Sequence, residues 1–206
     1  MVHHGNPVLR YAVLALLILT VPAKASEDYL VFLSEAKRFC RIWNSEMHDT
    51  EITVWASTSW RSLGSEGSYY FAAVCAQESG FKYITNESGC GYAGTKWYTI
   101  IAAAQYKGAV RPHLGWRRFF VKNKGRANLR SAEWFSKIRS ESPGWEDTIK
   151  TWHRGKERNE NEEKEANKYY RKAMKCLKRI NSHDRSKENN EQDAAKRRVA
   201  LCTRGY

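Results

Sequence analysis

Apolar side chains recur every three or four positions in four segments of this 206-residue chain. This spacing places them along one face of an α-helix, where they can pack against a core. A fifth segment, residues 68–77, is apolar almost throughout and is typical of a buried helix. The pattern predicts a single, mainly α-helical domain with at most a small strand region. Amphipathic helices are predicted over residues 29–43, 128–139 and 162–180, together with a short helix that begins at Trp145 and closes at residues 153–155.

The segment before the buried helix fits two structures. Residues 46–67 predict either a short strand or a loop, because Ile52 and Val54 lie among Ser, Thr and Trp residues. Ser65 and Ser68 indicate that a helix begins only after this segment.

The remaining connections have simpler predictions. Residues 99–106 are predicted to be helical, and Asn128 is the predicted N-cap of the helix that follows. The charge run at residues 156–168 predicts a solvated loop that leads into the last helix. Residues 181–206 are polar and charged, which predicts a tail that is frayed or held by Cys202.

The N-terminus has the pattern of a secretory signal over residues 1–25. Arg10 precedes the apolar run 11–21, which is too short for an ordinary membrane-spanning helix. Small residues at Ala23 and Ala25 suit signal peptidase, and cleavage would leave Ser26 as the new N-terminus. We expect an exported, periplasmic protein without a membrane span after cleavage. A secreted product and an uncleaved signal anchor are the alternatives.

Five cysteines lie beyond the predicted signal. Cysteines of exported proteins usually pair, so two disulfides and one free thiol are expected. A bond between Cys176 and Cys202 is the favoured pairing, since it would tie the tail to the last helix. The Cys and His spacings match no zinc motif, and we predict neither a metal nor a cofactor.

The chain is strongly basic, with a formal net charge of +13. Loss of Arg10 and Lys24 with the signal leaves 33 basic and 22 acidic residues, a net charge of +11. This charge favours anionic partners such as cell-wall material, lipid headgroups or nucleic acid. Residues 108–125 mix basic and aromatic side chains, which suits nucleic acid, a saccharide cleft or packing with a solvated basic face. We favour packing and predict no nucleic-acid partner.

Glu78 is the candidate catalytic residue. It ends the apolar segment and is followed by a loop that contains Gly89, Gly91 and Gly94. Apolar surroundings disfavour an ionised carboxyl group, so such a glutamate can stay protonated and act as a general acid. A solvated glutamate at the end of an ordinary helix is the alternative.

Four segments, in the same order and at fitting distances, resemble the soluble lytic transglycosylase family. They are AAVCAQESGF at 72–81, SGCGYAG at 88–94, NLRSAEWFSKIR at 128–139 with TIKTWHRG at 148–155, and EANKYYRKAM at 165–174. Members of this family have a goose-lysozyme-like fold, cut peptidoglycan and serve secretion systems, conjugation machinery and phages. The resemblance implies a lysozyme-like domain over residues 26–180, with 181–206 as a charged tail.

The resemblance also implies roles for individual residues. Glu78 would be the acid and then the base, and Tyr169, or Tyr170 if the register differs by one, would hydrogen-bond to it. The implied substrate-binding residues are Ser79, Gly94, Trp97, Trp152, His153 and Tyr169. The sequence departs from the family after Gly94, where Trp97 would replace a glutamine contact by stacking on a sugar. Trp152 and His153 replace a Tyr-Asn pair.

The implied reaction breaks the β-1,4 bond between MurNAc and GlcNAc in glycan strands and forms 1,6-anhydroMurNAc with one carboxyl group. Two alternatives stay open. A muramidase-type hydrolase would need a second carboxylate, for which Glu87 is the candidate. A non-catalytic protein of the same fold would bind the cell wall or a secretion, conjugation or phage assembly.

Overall fold

The computed structural model describes residues 23–107 and 116–202. Most of this part is helical, which confirms the mainly α-helical prediction. Its helices are α1 (Ala23–Trp43), α2 (Asp49–Ser79), α3 (Trp97–Tyr106), α4 (Trp116–Lys122), α5 (Lys124–Glu141), α6 (Trp145–Arg154) and α7 (Glu160–Cys202). Most of the predicted signal peptide, and residues 108–115 of the basic aromatic segment, lie outside the described residues. Among the described helices, none is long and apolar enough to cross a membrane.

Helix α2 is the centre of the core and packs against α1, α5 and α7. Its first half buries Trp55, which contacts Phe39 of α1 and Phe81 just beyond α2. Its second half buries Phe71, whose ring lies 5.4 Å from that of Phe135 on α5. Burial of each large apolar side chain contributes about 1.5–3 kcal/mol, so this packing fixes α2 against its neighbours.

The strand or loop predicted for residues 46–67 is wrong from Asp49 onward, because residues 49–67 belong to α2. Its hydroxyl side chains bond to the preceding turn of the helix, as when Thr58 Oγ1 donates to the Val54 carbonyl at 2.7 Å. Such bonds let a helix accept residues that are common in strands and loops. The backbone departs from helical geometry at Gly64, where φ is +67°. The predicted helix start at Ser65 therefore coincides with a kink.

The N-cap role predicted for Asn128 is also wrong. Helix α5 begins at Lys124, and Asn128 lies inside it, only 1 % exposed. Its side-chain amide donates to the Trp55 carbonyl at 3.2 Å and to Thr58 Oγ1 at 2.6 Å. Asn128 therefore links α5 to α2, a role that its position in the sequence does not reveal.

A three-stranded antiparallel sheet lies between α2 and α3. Its strands are β1 (Ile84–Thr85), β2 (Gly89–Gly91) and β3 (Thr95–Lys96), in the order β1-β2-β3. Cys90 pairs with Thr85 on one side and with Thr95 on the other. The sheet is within the limit of a small strand region, although the only strand that the sequence pattern offers is at residues 46–67. It directs the loop after β2 back towards the end of α2.

The last helix is longer than predicted at both ends. Asn159 precedes it, and its side-chain oxygen accepts the backbone N–H groups of Asn161 and Glu162, each at 3.0 Å. This is a typical N-cap, and it starts the helix inside the charge run that was predicted to be a loop. The backbone then stays helical to Cys202, through most of the tail that was predicted to be frayed.

The described cysteines differ from the disulfide prediction. Cys40, Cys75, Cys90 and Cys176 all have free thiols, so the two predicted disulfides are not formed among them. Three of these thiols are fully buried, where cysteine packs as a small apolar side chain. The side chain of Cys202, the favoured partner of Cys176, lies outside the described residues.

Candidate active site

The C-terminal end of α2 presents Glu78 at the edge of the core. The turn before it, residues 72–76, is buried, whereas Glu78 itself is only partly buried. The helix ends at Ser79, and the N–H of the next residue, Gly80, donates to the Ala76 carbonyl at 3.1 Å. The change from apolar core to surface thus occurs within one turn, and it leaves the Glu78 carboxyl group partly buried at the edge of the core.

Two elements far apart in the sequence meet at the Glu78 carboxyl group. Tyr169 of α7 donates its hydroxyl to Glu78 Oε1 at 2.6 Å, and Tyr169 is only 7 % exposed. Gly94 lies against the other oxygen, because a Cβ atom at this position would be 3.3 Å from Glu78 Oε2. The structure therefore brings Glu78, Gly94 and Tyr169 together, and Tyr169 rather than Tyr170 is the tyrosine at the acid.

Burial raises the pKa of the Glu78 carboxyl group, since an apolar environment disfavours its ionised form. The hydrogen bond from Tyr169 and the positive charge of Lys96 act in the opposite direction and offset part of this effect. Burial also raises the pKa of the Tyr169 hydroxyl well above its ordinary value, and the neighbouring carboxylate raises it further. Tyr169 therefore stays a hydrogen-bond donor throughout the range in which Glu78 titrates.

Ser79 holds the loop beside the acid. Its hydroxyl contacts the carbonyl of Cys75 at 3.1 Å and donates to the carbonyl of Tyr92. The Tyr92 side chain is buried, and its hydroxyl donates to Glu51 Oε1 at 2.5 Å near the other end of α2. These bonds fix the segment that carries Gly94, so Ser79 acts through the loop.

His153 and Trp152, at the end of α6, lie on the other side of Tyr169. The His153 ring stacks on the Tyr169 ring with centroids 4.1 Å apart and an angle of 6° between the planes. Burial and the charge of Arg154 lower the pKa of His153, so the stacked imidazole is neutral at neutral pH. Trp152 packs edge-on against Phe135 at 5.5 Å. Trp152 therefore packs against the core as well as lining the cleft.

An ion-pair cluster fastens α6 to α7 behind this stack. Arg158 pairs with Asp147 of α6 at 2.8 Å and with Glu163 of α7 at 2.7 Å. Lys150 of α6 reaches the same Glu163 at 3.0 Å. Because the cluster joins both helices, it holds His153 in register with Tyr169.

These residues surround an open cleft with a volume of about 640 Å³. Four of the predicted site residues line it: Glu78, Gly94, Trp152 and His153. Tyr169 and Ser79 do not line the cleft. Tyr169 bonds to Glu78, and Ser79 bonds to the loop that carries Gly94. Other residues of the cleft walls were not singled out by the sequence, and those from β3, α3 and α5 include Lys96, Tyr98, Trp134 and Lys137.

The sugar-stacking role predicted for Trp97 does not fit its position. Trp97 is 6 % exposed, its indole N–H donates to the Asn86 carbonyl at 3.0 Å, and it packs with Ile100 and Phe120 in a second apolar cluster. The next residue, Tyr98, is 66 % exposed and lines the cleft. Because α3 begins at Trp97, successive side chains project about 100° apart around the helix. The orientation of the first turn therefore buries Trp97 and exposes Tyr98 to the cleft.

Glu87, the predicted second carboxylate, is exposed and is not part of the cleft lining. Three other carboxylates line the cleft instead: Glu141, Asp147 and Glu162. Glu141 pairs with Lys137 at 2.5 Å, and Asp147 is held by Arg158. Glu162 accepts the backbone N–H of Asn159 at 3.0 Å. A second catalytic carboxylate would have to come from this group.

The described residues contain no cluster of three or more His, Cys, Asp or Glu side chains that could hold a metal ion. Comparison with protein-family models, with curated proteins and with solved structures finds no match for this chain.

Proposed function

We propose that this protein is a peptidoglycan lytic transglycosylase with Glu78 as its catalytic acid and base. The observation that carries the proposal is the hydrogen bond between Tyr169 and Glu78 in an open cleft, made between residues 91 positions apart. These are the two residues to which the resemblance assigns the acid and its tyrosine partner. A goose-lysozyme-like arrangement of the helices is part of the same proposal.

In the first step, protonated Glu78 donates its proton to the oxygen that bridges MurNAc and GlcNAc. The bond between this oxygen and the anomeric carbon breaks, and an oxocarbenium-like sugar forms. The raised pKa of Glu78 suits this step, because the carboxyl group must hold its proton until the substrate arrives.

In the second step, the Glu78 carboxylate accepts the proton of the MurNAc 6-hydroxyl group, whose oxygen attacks the anomeric carbon. The product is a 1,6-anhydro sugar, and Glu78 returns to its protonated form. The Tyr169 hydrogen bond and the charge of Lys96 stabilise the carboxylate between the two steps. One carboxyl group is sufficient, because no water is consumed.

The direct test is a zymogram with purified peptidoglycan. We expect the wild-type protein to clear the gel and Glu78→Gln to lose about 10²–10⁴-fold in rate. Glu87→Gln is the matched control, since Glu87 is an exposed carboxylate outside the cleft and should be fully active. Failure of the wild-type protein to clear peptidoglycan would favour the non-catalytic wall-binding alternative.

A muramidase-type hydrolase is the second candidate, because three carboxylates besides Glu78 line the cleft. Glu162 is the one to test, since the other two are held in side-chain ion pairs. Reducing MurNAc ends in the products, together with loss of activity in Glu162→Gln, would support hydrolysis. Anhydro ends and an active Glu162→Gln would support the transglycosylase.

The proposed setting is the periplasm of a bacterium, where an exported basic protein meets peptidoglycan. Its net charge suits a wall polymer that carries carboxylates. A secretion, conjugation or phage assembly is the proposed context, and it rests on the resemblance alone.

A further inference from the structure

Helix α3 displays two large aromatic rings to solvent. Tyr98 is 66 % exposed and Tyr106 is 55 % exposed. They are eight residues apart, or about 12 Å along the helix axis. Exposed aromatic side chains that lie together are typical of binding surfaces, since each offers a flat apolar face and a polar edge.

Lysine side chains accompany both rings. Lys96 lies 5.8 Å from the centre of the Tyr98 ring, and Lys107 lies 5.3 Å from that of Tyr106. Lys137 of α5 lies 5.8 Å from the Tyr106 ring and 5.1 Å from the Trp134 ring. The rings and cations therefore alternate along the seam between α3 and α5.

This seam connects the cleft to a second hollow. The hollow has a volume of about 450 Å³, and Arg61, Tyr106 and Lys107 belong to its lining. Lys137 lines both the hollow and the cleft that contains Glu78. The two depressions are thus neighbours, and one extended ligand can occupy both.

The charge along the seam is positive. Arg61, Lys96 and Lys107 form no ion pair within the described part of the chain. The acids nearby are already paired, Glu133 with Arg130 at 2.7 Å and Glu141 with Lys137 at 2.5 Å. An extended ligand on this surface therefore needs both planar apolar faces and negative charges.

We propose that the seam is an extended binding track for the part of a peptidoglycan strand that continues beyond the cleft. The inference rests on the proposed function. The track consists of Tyr98, Trp134 and Tyr106, which contact sugar faces, and of Lys96, Lys107 and Arg61, which pair with the carboxylates of the stem peptides. Its continuity with the cleft favours a polymer that also reaches Glu78.

The test measures binding to insoluble peptidoglycan in the full-length Glu78→Gln background, so that cutting does not interfere. Tyr106→Ala/Lys107→Ser removes one ring and one cation from the track. Phe119→Ala/Lys122→Ser is the matched control, because Phe119 and Lys122 are also exposed but lie outside both depressions. We expect the track variant to bind about fivefold more weakly than its parent, and the control to bind as the parent does.

A second arm uses otherwise wild-type proteins and compares kcat/KM on long strands with that on a MurNAc-GlcNAc tetrasaccharide. In the track variant, the ratio of kcat/KM on long strands to kcat/KM on the tetrasaccharide should be severalfold lower than in the wild-type protein. If wild-type protein cuts neither substrate, the proposed function fails, whereas the binding arm still decides the track. Equal peptidoglycan binding by the track variant, its parent and the control would overturn the inference. Binding of the same variants to double-stranded DNA is measured in parallel. A track variant that loses DNA binding but keeps peptidoglycan binding would also overturn the inference, because the seam would then be a nucleic-acid surface.

Discussion

The Glu78 carboxyl group is subject to opposing influences that can be altered one at a time. Burial raises its pKa, whereas the Tyr169 hydroxyl and the Lys96 charge lower it. The acid must be protonated to start the proposed reaction, so kcat/KM should fall as the pH rises through this pKa. The position of that alkaline limb reports directly on the two contacts.

We expect Tyr169→Phe and Lys96→Met each to move the alkaline limb of kcat/KM to higher pH. Each change removes an interaction that stabilises the ionised carboxylate, so the pKa of Glu78 should rise. Tyr169→Phe should also lower the maximal rate about tenfold, because the carboxyl group loses a positioning hydrogen bond. Lys82→Met, which neutralises an exposed lysine outside the cleft, is the control. A limb that does not move, or moves to lower pH, would contradict this account of the site.

Position 94 requires glycine for two reasons: its backbone conformation and its close contact with Glu78. Its φ of +57° is left-handed, and a Cβ atom would lie 3.3 Å from Glu78 Oε2. Gly94→Ala should destabilise the fold by about 1–2 kcal/mol and lower activity at least tenfold. Thermal melts and activity assays measure both effects. Gly144→Ala is the control, since Gly144 has extended backbone and open space around it. Equal effects of the two substitutions would contradict the role of Gly94.

At the scale of elements, the site depends on how α6 and α7 are joined. Arg158 connects Asp147 on α6 with Glu163 on α7, and its side chain is only 11 % exposed. The stack of His153 on Tyr169 lies on the same two helices. The ion-pair cluster therefore helps to position Tyr169 beside Glu78 without touching Glu78 itself.

Arg158→Gln should lower the free energy of unfolding by about 2 kcal/mol, because it leaves two carboxylates without their shared partner. It should also lower kcat, since the Tyr169 ring loses its support, while Glu78 itself is unchanged. Arg171→Gln, an exposed arginine on α7, should alter neither quantity. Denaturant unfolding and steady-state kinetics test the pair. A destabilised Arg158→Gln with wild-type kcat would show that the cluster acts on stability alone.

The elements differ in how well the sequence predicts them. Apolar stripes with helical spacing predicted α1, α5, α6 and the start of α7, although α5 begins four residues earlier than predicted. The strand-or-loop prediction fails for residues 49–67, whose hydroxyl groups bond back into the helix in a way that no local pattern reveals. Within the site, the local pattern at Glu78 fits a general acid or a solvated glutamate, and only the resemblance favours the acid. The burial of Trp97 and the exposure of Tyr98 depend on where α3 packs. The contact between Glu78 and Tyr169 followed only from the family resemblance.

At the scale of the whole molecule, the free cysteines conflict with the disulfides expected of an exported protein. Cys40, Cys75 and Cys90 are fully buried, and burial raises the pKa of the Cys90 thiol to about 11. In a Cys202→Ser variant, we expect at most one thiol, that of Cys176, to react rapidly with a thiol reagent in the native state. All four should react after unfolding without a reductant. Fewer than four would mean that disulfides form in the cell.

The central claim concerns the bond that Glu78 breaks and the product that it makes. Mass spectrometry of the soluble fragments released from purified peptidoglycan measures this most directly. We predict fragments that end in 1,6-anhydroMurNAc with the wild-type protein and none of them with Glu78→Gln. Fragments with reducing MurNAc ends, or anhydro ends that persist in Glu78→Gln, would contradict the account.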